Sequence, residues 1–307
     1  MPQGARTMGL IFQPGFFANA SVHVGLVIGA VVAIVSGPIG VFTVLRGQSF
    51  AGESLSDIGA AGGSGAYLLG AGPLLGFVVS GVVAAGALEM IGIQRPRGRD
   101  VATGIVLGAG LGLAALFLYW GTTSSNTTGA TVTILFGSLF AVSPSTIPMV
   151  IVLSVVALGT LLVLYRPLLL ASVSPDLAAA RGVPVRVVGA AYLLAMALAV
   201  ALSAVTIGAI LSTALLIGPA ATALRITKRP GLAMVWASLI GVGATWLGVL
   251  LAYDSYHWPP QRHGWPVSFF VVACVFIFYA LAGLLRWPAS RNRHLAGARA
   301  VAVPSGQ

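Results

Sequence analysis

Glu53 and Asp57 stand four residues apart in GESLSDIGAAGGSG, residues 52–65. The chain holds only 6 Asp and Glu among 307 residues, so two within one short stretch need an explanation. On a helix, residues i and i+4 share a face. Glu53 and Asp57 would then project together, with Ser56 beside them. Two carboxylates in apolar surroundings repel each other unless a cation compensates, and a divalent cation is a natural compensator. An ionisable group left unpaired inside a membrane costs roughly 3 kcal/mol, which makes such a pair a functional site by default. The competing reading is a pair solvated at the cytoplasmic end of the helix. There Arg46 neutralises one carboxylate and no metal is needed.

Three other groups of residues could carry chemistry. His257 and His263 flank WPPQR in a polar loop. They could touch an incoming metal or the protein that delivers it, or simply be solvated; Asp254 shares both readings. The lone Cys274 lies in an apolar run. It supports neither a disulfide framework nor a cysteine metal site, and reads as a small buried hydrophobe. The stretch SPDLAAARGVPVR begins at Ser174, a natural N-cap, followed by Pro175 at the first helical position. Gly182 should stop that helix. The spacing predicts a short helix over about 174–183, either a surface on which a motor subunit pushes or an ordinary loop helix.

The elements that position these residues are set by composition. Hydrophobic residues make up 58 % and charged residues 7 %, against about 25 % charged in soluble domains. Several runs exceed the roughly 18 apolar residues of a spanning helix, and their length excludes a β-barrel pattern of about ten alternating residues. No Ala-x-Ala cleavage site follows a short apolar core, so no removable signal peptide is expected. The expected fold is an all-α polytopic membrane protein. Nine crossings are expected, at 21–45, 54–71, 73–93, 101–120, 148–165, 187–205, 207–224, 232–252 and 267–285. Thr131–Val142 is too short to cross at 1.5 Å per residue, and reads as re-entrant. An N-terminal segment (1–20), a membrane domain (21–285) and a basic tail (286–307) follow from this division.

The net charge of +10 does not point to nucleic acid. Its arginines cluster in short loops at 95–99, 166–186, 225–229 and 286–299, the pattern of cytoplasmic loops. With the uncharged 122–129 loop and the 253–265 loop outside, the N-terminus lies outside and the C-terminus inside.

Five motifs, in order, resemble the zinc/manganese/iron class of ABC transporter permeases. They are LRGQSFAGESLSDIGAAGG, QRPRGRDVATGIVLG, ILFGSLFAVSPS, DLAAARGVPV and IGAILSTALLIGPAATA. The resemblance covers about residues 21–285. It implies a non-enzymatic permease in the bacterial plasma membrane, with no intrinsic cofactor and a divalent metal as cargo. It implies a second copy as homodimer partner, a cytoplasmic ATPase pair and an extracytoplasmic metal-binding protein. It also implies that Asp176, Arg181, Gly182 and Pro184 meet the ATPase. Glu53 stands where the family usually has Asp, and Asp57 where it usually has His. The family's Pro is replaced by Ala61, followed by Gly62 and Gly63. Imidazole suits zinc and carboxylates suit harder ions such as manganese, so the choice between the two stays open. The alternatives are a permease for a metal chelate or other small solute, and an ion-coupled secondary transporter. The glycine-rich run GAAGGSGAYLLGAG lacks the Gly-Lys-Ser/Thr ending of a phosphate loop, so no ATP site is expected in this chain.

Overall fold

The computed structural model describes residues 15–91, 99–125, 128–137, 139–256 and 264–301. Among them there is no strand. The helices are α1 (Ala20–Leu45), α2 (Ser49–Leu68), α3 (Pro73–Ile91), α4 (Arg99–Ser125), α5 (Thr128–Phe136), α6 (Ile147–Val173), α7 (Pro175–Ala180), α8 (Val185–Ile207), α9 (Ala209–Ile226), α10 (Pro230–Ser255) and α11 (Val267–Val301). Short 3-10 turns at Leu139–Ala141 and Pro144–Thr146 lead from α5 into α6.

Eight helices among the described residues are long and apolar enough to cross a membrane. The expected ninth crossing is α2, which has the length, at 20 residues. Its two carboxylates, four serines and five glycines leave it less apolar than the others. It also begins at Ser49 rather than Ser54. α5 is 9 residues long, about 13 Å of helix against a hydrocarbon core of about 30 Å, so it cannot cross. α6 does not stop at Tyr165 but continues through Pro167 to Val173. α11 likewise runs past Leu285, the expected end of the last span, to Val301.

α1 and α8 form the centre. Val35, Ile39 and Phe42 of α1 and Tyr192, Leu193 and Met196 of α8 are buried in one cluster, joined by Leu161 and Leu168 of α6 and Leu216 and Ala220 of α9. α4 and α6 lie at the periphery and expose most of their apolar surface, as lipid-facing helices do. Pro38 interrupts α1 without breaking it. A proline cannot donate to the carbonyl four residues before it. In this fold the Ile34 carbonyl accepts instead from the Ser238 hydroxyl of α10, at 3.1 Å. A neighbouring helix thus replaces the lost bond, as membrane bundles allow.

Candidate functional site

The site begins with α2. Asp57 is buried, at 7 % exposure, and Glu53 is half-buried one turn before it. The two interact electrostatically across that turn. α2 is held on three sides. α4 approaches so closely at Gly110 that a Cβ there would lie 2.8 Å from the Ile58 amide nitrogen and 3.1 Å from the Asp57 carbonyl carbon. Only glycine admits this approach. On the same side, the Ser54 hydroxyl donates to the Thr103 carbonyl of α4 at 2.9 Å. On a second side stands α9. The Ser56 hydroxyl donates to the Ala209 carbonyl at 2.6 Å and meets the Ser212 hydroxyl at 2.7 Å. Phe77 of α3 packs over Ala60 and Ala61, one turn beyond Asp57.

The result is a carboxylate pair fixed to a helix whose backbone cannot drift. Among the described residues, no group of three or more His, Cys, Asp and Glu gathers around one point. Two carboxylates from one chain are what Glu53 and Asp57 could offer an ion. His257 and His263 lie outside the described residues. Asp254 is fully buried in the last turn of α10.

The second group is α7 and its flanks. The Ser174 hydroxyl caps α7 by accepting from the Leu177 amide at 3.3 Å. At the other end, the Val183 amide donates to the Ala178 carbonyl at 3.0 Å and the Gly182 amide to the Ala179 carbonyl at 2.9 Å. Gly182 has φ +79°. This paired bonding around a left-handed glycine is the Schellman closure. Ala178 is fully buried and anchors the turn, while Asp176, Arg181, Gly182 and Pro184 all face outward. α7 packs on α6, and α8 starts at Val185 directly after it.

Sequence reasoning found the carboxylates and α7. It missed Gly110, Thr103, Ala209 and Ser212, which hold α2 in place. Ser212 and Ala209 sit in a quoted motif, yet nothing local in that motif names α2 as their partner.

This architecture matches a known family. Residues 19–281 match the model of the ABC 3 transport family. The chain belongs to that family. It is 29 % identical over 244 residues to the manganese transport system membrane protein MntC of Listeria monocytogenes, covering 80 % of this chain and 86 % of that one. It is 28 % identical to the high-affinity zinc uptake system membrane protein ZnuB of Haemophilus influenzae, over 75 % of this chain and 88 % of that one. Among solved structures it resembles PsaBC from Streptococcus pneumoniae in complex with Fab, with TM-score 0.74 and 26 % identity, covering 87 % of this chain and 92 % of that one.

Proposed function

We propose that this chain is the membrane-spanning permease subunit of an ATP-driven importer in the bacterial plasma membrane, carrying manganese or zinc. Family membership and the named relatives support the transport class. The observation that carries the cargo is the Glu53–Asp57 pair, with Asp57 buried and Glu53 half-buried, on a helix clamped by its neighbours. With carboxylates at both positions, the donor set suits manganese better than zinc. The subunit itself performs no bond chemistry. ATP is hydrolysed on separate cytoplasmic subunits, and a second copy of this chain completes the pathway. An extracytoplasmic binding protein delivers the ion.

The geometry supplies a mechanism for this reading. The ATPase pair presses on the outward face of α7, through Asp176 and Arg181 with Gly182 and Pro184 at its end. α7 is capped at both ends and is tied to α8 by the short link Arg181–Pro184, so a push on it is passed to the start of α8. α8 ends at the elbow with α9, and α9 holds Ser56, the neighbour of Asp57. A displacement at the cytoplasmic face thereby reaches the carboxylates through covalent and hydrogen-bonded links.

Metal uptake tests the proposal. Cells expressing this chain with its ATPase and binding-protein subunits should accumulate manganese or zinc, read by mass spectrometry. Glu53→Gln and Asp57→Asn should each abolish accumulation at matched membrane abundance. Uptake that persists in both variants would show the pair to be structural. Absence of any metal accumulation would hand the lead to a chelate or other small solute.

A further inference from the structure

α5 ends against the α8–α9 elbow in an unusual way. Gly137, directly after α5, has φ +74°, and Gly208, at the elbow, has φ +85°. A Cβ on Gly137 would lie 2.6 Å from the Ile207 carbonyl carbon and 2.7 Å from the Thr206 carbonyl oxygen, and would overlap the Gly208 amide. A Cβ on Gly208 would overlap the Leu135 carbonyl, the Phe136 carbonyl carbon and the Gly137 amide. The two glycines therefore meet backbone to backbone, in a conformation that side chains rarely adopt.

Around this contact, packing is open. A cavity of about 240 Å³ lies on one flank of α5, reached by Thr133 and Ile134. A second, of about 140 Å³, lies against Phe136 and Gly137. The Ser268 hydroxyl lining the second cavity is buried without a hydrogen-bond partner. Both spaces open to the surface of the bundle, and a helix bordered by such clefts has room to move. Yet α5 is joined to the carboxylate site. Ile134 shares a cluster with Ala60 and Ala61 of α2, one turn past Asp57. Ala209, next to Gly208, receives the Ser56 hydroxyl at 2.6 Å.

We infer that the Gly137–Gly208 contact is the joint on which α5 closes the outer route to Glu53 and Asp57. The inference rests on the permease reading above. Closed, Ile134 covers the outer side of the carboxylate pair. When α8 moves, the elbow shifts Gly208 and releases the end of α5 into the neighbouring spaces. Gly137 and Gly208 are positioning residues that touch no ion. Their lack of side chains lets α5 seat against the elbow.

The test measures access from outside, in whole cells carrying the complete transporter. A thiol is introduced by Ala60→Cys in a Cys274→Ala background, and its labelling by a membrane-impermeant methanethiosulfonate is timed. Gly208→Ala and Gly137→Ala should each unseat α5 and raise the labelling rate about tenfold, as expected for a shift toward the open population. Gly243→Ala, at an α10 glycine with open space around it, should leave the rate unchanged. A second arm needs no glycine variant. Cysteines introduced by Ile134→Cys and Ala60→Cys are bridged by a short, reducible bifunctional thiol reagent. The bridge should stop manganese and zinc uptake, and reduction should restore it. Unchanged labelling in the glycine variants that reach the membrane overturns the joint, as does full uptake by bridged protein. If neither glycine variant reaches the membrane, the bridge arm decides. If the unbridged parent takes up neither metal, the permease reading fails, and the labelling arm still judges the joint by itself.

Discussion

Two helix contacts in this molecule are sealed by hydroxyl groups, and they are built to opposite ends. Between α1 and α8, the Tyr192 hydroxyl meets Thr43 Oγ1 at 2.7 Å and the Ile39 carbonyl at 3.0 Å, and Ser36 meets Ser203 at 3.0 Å. All four hydroxyl-bearing side chains are fully buried. The Arg46 guanidinium sits 5.6 Å from the centre of the Tyr192 ring, a cation–π contact. Between α2 and α9, Ser56, Ala209 and Ser212 make an equally close contact. That contact lies beside two carboxylates, and α5, flanked by cavities, borders the same elbow. The first region is a closely bonded frame, and α8 within it follows α7 after the link Arg181–Pro184. The second places charge in a membrane interior next to the part of the fold with room to move. In the permease reading proposed above, the bonded frame would carry the push and the carboxylates would meet the cargo.

The largest expected effect crosses the two regions. Asp57→Asn should cut metal uptake at least about tenfold while leaving the melting temperature in detergent equal or higher, since a buried carboxylate is costly to hold. Tyr192→Phe should do the reverse. Uptake per folded molecule should be kept, and stability should fall by about 1–3 kcal/mol as buried partners lose their bonds. If both variants lose stability alike and both transport alike, the division between frame and cargo region collapses.

Gly110→Val comes next. Its side chain would drive α4 off the α2 backbone at Asp57 and Ile58, where neither partner has a flexible end to yield. Overpacking of this kind costs about 1–3 kcal/mol. Uptake should fall further than stability explains, because the carboxylates move with the backbone. A variant that melts lower but transports normally would show that the carboxylates do not depend on the α4 clamp.

How much of this was legible beforehand follows from which forces are local. Spans such as α1, expected at 21–45 and found at Ala20–Leu45, are written in runs of apolar residues. The ends of α7 were legible because Ser174, Pro175 and Gly182 act within a few residues of themselves. The end of α6 was placed too early, because Arg166 closes the apolar run at 165 while the helix itself continues through Pro167. The clamp on Asp57 was illegible for a different reason. Gly110 and Ala209 lie far from Asp57 in sequence, and a glycine in an apolar helix looks the same whether it faces lipid or another backbone. Gly137 and Gly208 are a similar case, since a positive φ is decided by the tertiary contact that demands it.

The smallest expected effect tests the frame at its outer edge. Ser174→Ala removes the hydroxyl that accepts from the Leu177 amide at 3.3 Å, on an exposed turn. Losing an N-cap costs about 1 kcal/mol of local helix stability. α7 is short and exposed, so this cost should appear as opening of α7 alone, with the global melting temperature unchanged. Amide hydrogen exchange at Leu177 should quicken about fivefold, matching 1 kcal/mol. Gly182→Ala should act on the same helix from its other end, because alanine at φ +79° costs about 1 kcal/mol or more. If α7 transmits a push as a rod, both variants should lower uptake modestly and to a similar degree, and ATP hydrolysis would continue with less transport per turnover. Faster exchange at Leu177 with undiminished coupling would mean that α7 serves only as a docking surface, and that force enters the frame at α6 or α8 instead.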